Sequence, residues 1–194
     1  MNLFELGQKH NCVKTYDRFK YSWAFCKEIY PEHFGHRRYS TQSLLEIGVH
    51  QGGSLRMWEE YFPHAQIYGV DIVKGFEPDG RVYFCQGSQS DATFLSDVSK
   101  EVDGWDIIID DGSHKFEDQK ISFETLWGEL NSGGVYVIED VMARHAKSLP
   151  CFDYFAELAK NELGKLTNDG DTDTHTDINR IVFYPKMIVL EKKI

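Results

Sequence analysis

Apolar residues in this chain fall into two alternating rhythms: short continuous runs, and spacings of three or four. Runs over residues 43–47, 66–70, 81–85, 105–109 and 134–138 predict strands. Between them, residues 54–61, 91–100, 115–130 and 151–163 carry helical spacing. Ser90 or Asp91 is placed to cap the second of these helices, and Asn131-Ser132-Gly133-Gly134 to end the third. The tail differs, because residues 178–184 and 187–191 flank Pro185-Lys186 and predict a hairpin. Strands alternating with helices imply right-handed crossovers. The expected fold is therefore α/β, a Rossmann-like doubly wound, mostly parallel sheet with an antiparallel C-terminal edge hairpin. Residues 1–40 read as an N-terminal helical extension in which Phe19, Trp23, Phe25, Ile29 and Tyr30 keep near-helical spacing and Pro31 acts as a breaker. Residues 1–194 are expected to form one domain, with 1–40 as its helical cap.

Two of the strands end in paired acids. Ile107-Ile108-Ile109 runs into Asp110-Asp111-Gly112-Ser113-His114, and Val135-Tyr136-Val137-Ile138 into Glu139-Asp140. A buried parallel strand delivers such residues to the carboxyl edge of its sheet, where open α/β sheets bind ligands. Four carboxylates converging with one imidazole repel one another without a cation, which points to a hard metal ion with a base beside it. The plainer alternatives are that Asp110 or Asp111 caps the helix starting near Lys115, that Glu139–Asp140 is a solvated strand end, and that His114 is a capping or core histidine. His145 is a rival base or acceptor contact. Tyr16, Tyr21 and Trp23 are read as core aromatics before being read as a platform for a ligand.

Composition narrows the field. With 194 residues, 41% hydrophobic and 14% aromatic, the chain has ample material for one core. A formal charge of −10 excludes a duplex nucleic-acid binder, which needs a basic surface. Residues 1–40 run against the trend, with seven Lys/Arg against four Asp/Glu, most simply a solvated helix face. The four cysteines, Cys12, Cys26, Cys85 and Cys151, form no CxxC pair, and no apolar run nears the ~18 residues of a membrane helix. The expectation is a soluble, cytoplasmic protein with no membrane partner. Residues 168–177 look superficially like a calcium loop, but the sixth and twelfth positions counted from Asp169 hold Thr174 and Arg180 instead of Gly and Glu. A mobile polar loop is the expectation there.

The first strand leaves through Glu46-Ile47-Gly48-Val49-His50-Gln51-Gly52-Gly53-Ser54, a glycine turn before a helix. Such a turn lets a ligand approach backbone N–H groups. Its spacing departs from the dinucleotide pattern G-x-G-x-x-G. Asp71 ends the next strand, where ribose-binding acids stand in doubly wound folds. With Tyr68-Gly69-Val70-Asp71, Gln86-Gly87-Ser88-Gln89-Ser90-Asp91 and the two acid-ended strands, the chain resembles the class I S-adenosylmethionine-dependent methyltransferases over roughly residues 10–192. Within them it looks most like the metal-dependent O-methyltransferases of macrolide deoxysugars. The resemblance implies S-adenosylmethionine and Mg2+ (or another divalent cation) as cofactors. It implies that Glu46, Gly48 and Ser54 line the methionine end, that Asp71 holds the ribose, and that Ser88 and Gln89 lie beside the adenine, with Asp110 facing the cofactor. Asp111, Glu139 and Asp140 would bind the metal, with Asp111 also serving catalysis and His114 as general base. Two departures stand out: Cys12-Val13-Lys14 where the family often has Thr-Asp-Lys, and Ser88 where it commonly has Asp.

The implied activity is methyl transfer to a sugar hydroxyl, with a sugar or glycoside acceptor. A metal lowers a hydroxyl's pKa so that one histidine can take the proton. Rival readings are a catechol-type diol acceptor, an NAD-dependent nucleotide-sugar oxidoreductase, disfavoured by the missing G-x-G-x-x-G, and a non-catalytic cofactor-binding module. An open cleft, or a partner copy in a homo-oligomer, is expected to supply further acceptor contacts.

Overall fold

The structure is a computed structural model that describes residues 1–16, 24–141, 149–167 and 177–194. The described residues form one seven-stranded sheet: β1 (Ser43–Ile47), β2 (Gln66–Asp71), β3 (Val82–Gln86), β4 (Trp105–Asp110), β5 (Leu130–Ile138), β6 (Ile178–Tyr184) and β7 (Met187–Lys192), in the order β3-β2-β1-β4-β5-β7-β6. The first five are parallel, and β7 pairs antiparallel with both β5 and β6. This is the doubly wound sheet with an antiparallel edge that the alternating pattern predicts. No helix among the described residues is long and apolar enough to cross a membrane.

The apolar runs are continuous because the central strands are covered on both faces. Leu44, Ile67, Ile107, Ile109, Val135 and Val137 face one layer, built with α1 (Leu3–Lys9), α2 (Tyr30–Phe34) and α3 (Gly53–Tyr61). Leu45, Val70, Ile108, Tyr136 and Ile138 face the other, built with α4 (Ala92–Ser99), α5 (Phe116–Leu126) and α6 (Leu149–Thr167). Asp91 caps α4 by accepting from the Phe94 amide at 3.0 Å.

Two expectations need correction. Pro31 does not break the N-terminal helix. It sits in the first turn of α2, where its missing N–H costs nothing, after a wide turn over Phe25–Ile29. The helix expected over 115–130 stops at Leu126, and Leu130–Gly134 belongs to β5. Leu126 and Leu130 keep helical spacing, but Leu130 pairs with Trp105 and Gly133 adopts φ 72°, so tertiary strand pairing overrides the local pattern.

Candidate active site

The strand order reverses between β1 and β4, and the cavity opens there, at their carboxyl ends. It measures about 920 Å³ and is lined by Gly48, Ser54, Asp71, Asp111, His114 and Asp140, among others. Gly48 makes the geometry of the crevice. Its φ is 85°, its amide donates to Val70 O at 2.8 Å, and Asp111's amide donates to Ile47 O at 2.9 Å. A β-carbon on Gly48 would stand 2.6 Å from the Asp111 carbonyl carbon and 2.7 Å from Gly112 Cα. Only glycine lets the two strand exits lie this close. Asp71 ties the same turn down: one carboxylate oxygen accepts from the amides of Val49 and His50 at 3.0 Å each, the other from Val73 at 3.1 Å.

At the end of β4 the two aspartates part. Asp110 is fully buried and accepts from Gln89 Nε2 at 3.1 Å on both oxygens. Burial pushes its carboxyl up to about 6. Gln89 Oε1 in turn receives the Ser113 amide, so this side chain braces the Gly112-Ser113 turn from behind. Neither Asp110 nor Gln89 lines the cavity. Ser88 does not line it either, and its hydroxyl meets that of Ser90 at 2.8 Å. Asp111 points the other way, into the cavity.

His114 and Asp140 both take left-handed backbone, φ 56° and 51°, an arrangement rare outside glycine and concentrated at functional sites. These turns bring His114 Nε2 to 4.0 Å from Asp140 Oδ2. Ligand atoms of Asp111, His114 and Asp140 all fall within 4.8 Å of one another. A second group, Glu46, Asp111 and Glu139, meets the same criterion deeper in, so Asp111 belongs to both. The donors are mostly hard carboxylate oxygens, the set a magnesium-like cation takes.

The inner group surrounds an ammonium. Lys14 is 4% exposed, and its Nζ bonds Asp111 Oδ2, lies 2.7 Å from Glu139 Oε1, and sits 3.1 Å from Glu46 Oε1. Tyr30 donates its hydroxyl to Glu139 Oε1. Burial pulls the Lys14 pKa down, but Asp111, Glu139 and Glu46 more than reverse this and hold it above the ordinary value. Burial also raises Glu139, reinforced by Asp111 and opposed by Lys14. Glu46 is fully buried. Its contact with Lys14 is electrostatic, and neither of its oxygens has a donor in hydrogen-bond geometry among the described residues. Burial raises its pKa, against the pull of Lys14 and of the Ser54 hydroxyl.

Several plain alternatives fall away. The N-cap of α5 is Lys115, with no side-chain cap, so neither aspartate serves there. Glu139 is 2% exposed and is no solvated strand end. His114, with 42% of its side chain exposed, is no core residue. The basic N-terminal segment is not simply a solvated face, because Lys14 is buried and lines the cavity. Tyr16 lines the cavity. Phe19, Tyr21, Trp23, His145 and residues 168–176 lie outside the described residues. The sequence pattern passed over Lys14 and Tyr30 as partners of Glu139. The one signal was a lysine shared with the family's N-terminal segment.

No protein-family model matches the chain. Over 128 residues it is 41% identical to the 8-demethyl-8-(2-methoxy-alpha-L-rhamnosyl)-tetracenomycin-C 3'-O-methyltransferase of Streptomyces olivaceus, covering 61% of this chain and 33% of that protein. It is 43% identical over 120 residues to the mycinamicin VI 2''-O-methyltransferase of Micromonospora griseorubida, covering 58% and 30%. It is 36% identical over 145 residues to the demethylmacrocin O-methyltransferase of Streptomyces fradiae, covering 71% and 36%. The chain thus spans about a third of the length of these curated relatives. Among solved structures, the MycE methyltransferase from the mycinamycin biosynthetic pathway, in complex with Mg, SAH and mycinamycin VI, superposes with a TM-score of 0.82 at 28% identity, over all of this chain and 54% of that one. A second MycE structure, with Mg and SAH, gives a TM-score of 0.84 over the same shares. In sequence and in fold alike, the chain is a homologue, over part of their length, of sugar O-methyltransferases of macrolide and tetracenomycin pathways.

Proposed function

We propose that the chain carries out divalent-metal-dependent methyl transfer from S-adenosylmethionine to a hydroxyl of a sugar, most simply a deoxyhexose of a glycoside. The observation that carries this reading is the convergence of Asp111, His114 and Asp140 at the mouth of a cavity whose other wall is the Gly48–Ser54 turn and Asp71.

The residues present fit both groups. Asp111 and Asp140, with Glu139 behind them, offer hard oxygens for Mg2+. The Gly48 turn, Ser54 and the start of α3 would receive the methionine end of the cofactor, and Asp71, three of whose roughly four acceptor positions are taken by amides, keeps one on Oδ1 for a ribose hydroxyl. Gln89 and Asp110 act from behind in this reading, since they set the position of the Gly112-Ser113 turn that carries His114. When bound, the metal would acidify a sugar hydroxyl, and the sulfonium would supply an already activated methyl group. His114, exposed toward the cavity, is the base that accepts the hydroxyl proton at Nε2. Asp140 Oδ2 lies 4.0 Å from this nitrogen. The rigid turns serve alignment, the main demand of an in-line transfer.

The test is methyl transfer from labelled S-adenosylmethionine to rhamnosyl glycosides and to mycinamicin VI, against phenolic diols, with Mg2+ and with chelator. Sugar methylation that stops with chelator and returns with Mg2+ is expected. His114→Ala should lower turnover by roughly 10²–10⁴-fold while leaving S-adenosylhomocysteine affinity within twofold. Chelator-insensitive transfer sinks the metal assignment. Joint loss of turnover and cofactor binding makes His114 structural, and preference for phenolic diols overturns the acceptor class.

A further inference from the structure

We infer that Lys14 is a resident counter-cation of the acid cluster, which releases Asp111 and Glu139 when a divalent ion is bound. The inference rests on the metal reading above and adds a role for a residue outside the proposed ligand set.

Three observations carry it. First, the Lys14 ammonium sits among three carboxylates, bonded to Asp111 Oδ2 and Glu139 Oε1 and 3.1 Å from Glu46 Oε1. Two of those carboxylates, Asp111 and Glu139, are ones that would hold the metal, and one ammonium cannot sit against them beside a divalent ion at contact distance without strong repulsion. Second, Glu46 is fully buried and, among the described residues, has no donor in hydrogen-bond geometry, so the inner cluster holds more acceptor oxygens than Lys14 satisfies. Three carboxylates face this single lysine. Third, the backbone around Lys14 is fixed, and the residue borders the cavity. Cys12 N donates to Gly7 O at 2.8 Å and Thr15 Oγ1 to Cys12 O at 2.8 Å, pinning the turn over Val13–Thr15.

The consequence is an exchange of cations. Without metal, Lys14 keeps the buried carboxylates from repelling one another and holds Glu139 inward, with Tyr30 as its second donor. With metal, Lys14 swings off Asp111 and Glu139 toward the cavity that it lines.

The experiment is Mg2+ titration by calorimetry on the whole chain and on Lys14→Met and Lys14→Arg, joined to acetylation footprinting of the wild-type lysines with and without Mg2+. Lys14→Met, which keeps the stem and loses the competitor, should bind Mg2+ at least tenfold more tightly, and Lys14→Arg no more tightly than wild type. Lys14 should become several-fold more reactive when Mg2+ is added, while exposed Lys100 stays constant. The footprint decides the matter should Lys14→Met fail to fold. Equal or weaker Mg2+ binding by a folded Lys14→Met, or a Lys14 no more reactive with Mg2+, overturns the exchange while leaving the metal site standing. Absence of Mg2+ binding in every form overturns the metal reading and the exchange together.

Discussion

Three glycines separate what backbone conformation contributes from what close approach contributes. Gly128→Ala places a β-carbon in open space at ordinary φ and should change stability by less than about 0.5 kcal/mol. Gly133→Ala meets its nearest atom, Ile194 Cγ1, at 3.4 Å, but at φ 72°, so the left-handed penalty of about 1–2 kcal/mol should be nearly its whole effect. Gly48→Ala suffers both. It adds the same penalty at φ 85° and puts carbon 2.6 and 2.7 Å from Asp111 and Gly112 backbone atoms. A relaxed carbon–carbon contact is about 3.5 Å, so the exits of β1 and β4 must part by nearly 1 Å. Overpacking of this kind costs about 1–3 kcal/mol, bringing the total to about 2–5 kcal/mol, a large share of a stability of about 5–15 kcal/mol. Urea unfolding of the three variants, compared at unchanged m, reads the series directly. Because Asp111 moves with the turn, Gly48→Ala should also weaken Mg2+ binding, and Gly133→Ala should not. If Gly48→Ala were no more costly than Gly133→Ala, the close approach of the two strand ends would not be what requires glycine there.

Gln89→Leu removes the donor to both Asp110 oxygens and the acceptor of the Ser113 amide, so thermal unfolding should show a loss of about 2–4 kcal/mol. Stability within 0.5 kcal/mol of wild type would mean that Asp110 finds other donors. Glu191 concerns the far edge, where it accepts from Arg180 at 2.6 Å and meets His33 Nδ1 at 2.9 Å. Burial pushes its carboxyl up, but Arg180 and His33 outweigh this and hold it below 4.5. Its stabilisation is therefore complete above pH 4.5 and is lost as pH falls through the lower folded value. Glu191→Gln should flatten the acid limb of the stability–pH curve, and an unchanged limb would refute that link.

The central strands were legible because their apolar runs match strands buried on both faces, a requirement that acts residue by residue. The acids at the ends of β4 and β5 were legible for the same reason, since the carboxyl ends of adjacent parallel strands share one edge. Where local pattern and pairing disagreed, as at Leu130, spacing misled: the partner strand, 25 residues away in the chain, decides.

What the linear chain determined about this protein is its α/β alternation, the glycine turn at Gly48–Ser54 and the acids that face it. Only the tertiary structure decided how those acids divide. Adjacent residues on an extended strand point to opposite sides, so Asp110 turns back to Gln89 and Asp111 into the cavity. Left-handed turns at His114 and Asp140 then bring the imidazole and its carboxylate together. Lys14 and Tyr30 reach Glu139 from 125 and 109 residues away, a meeting set by how the N-terminal layer packs on the sheet. No periodicity encodes that contact, because it depends on the packing of two layers and not on the pattern within either.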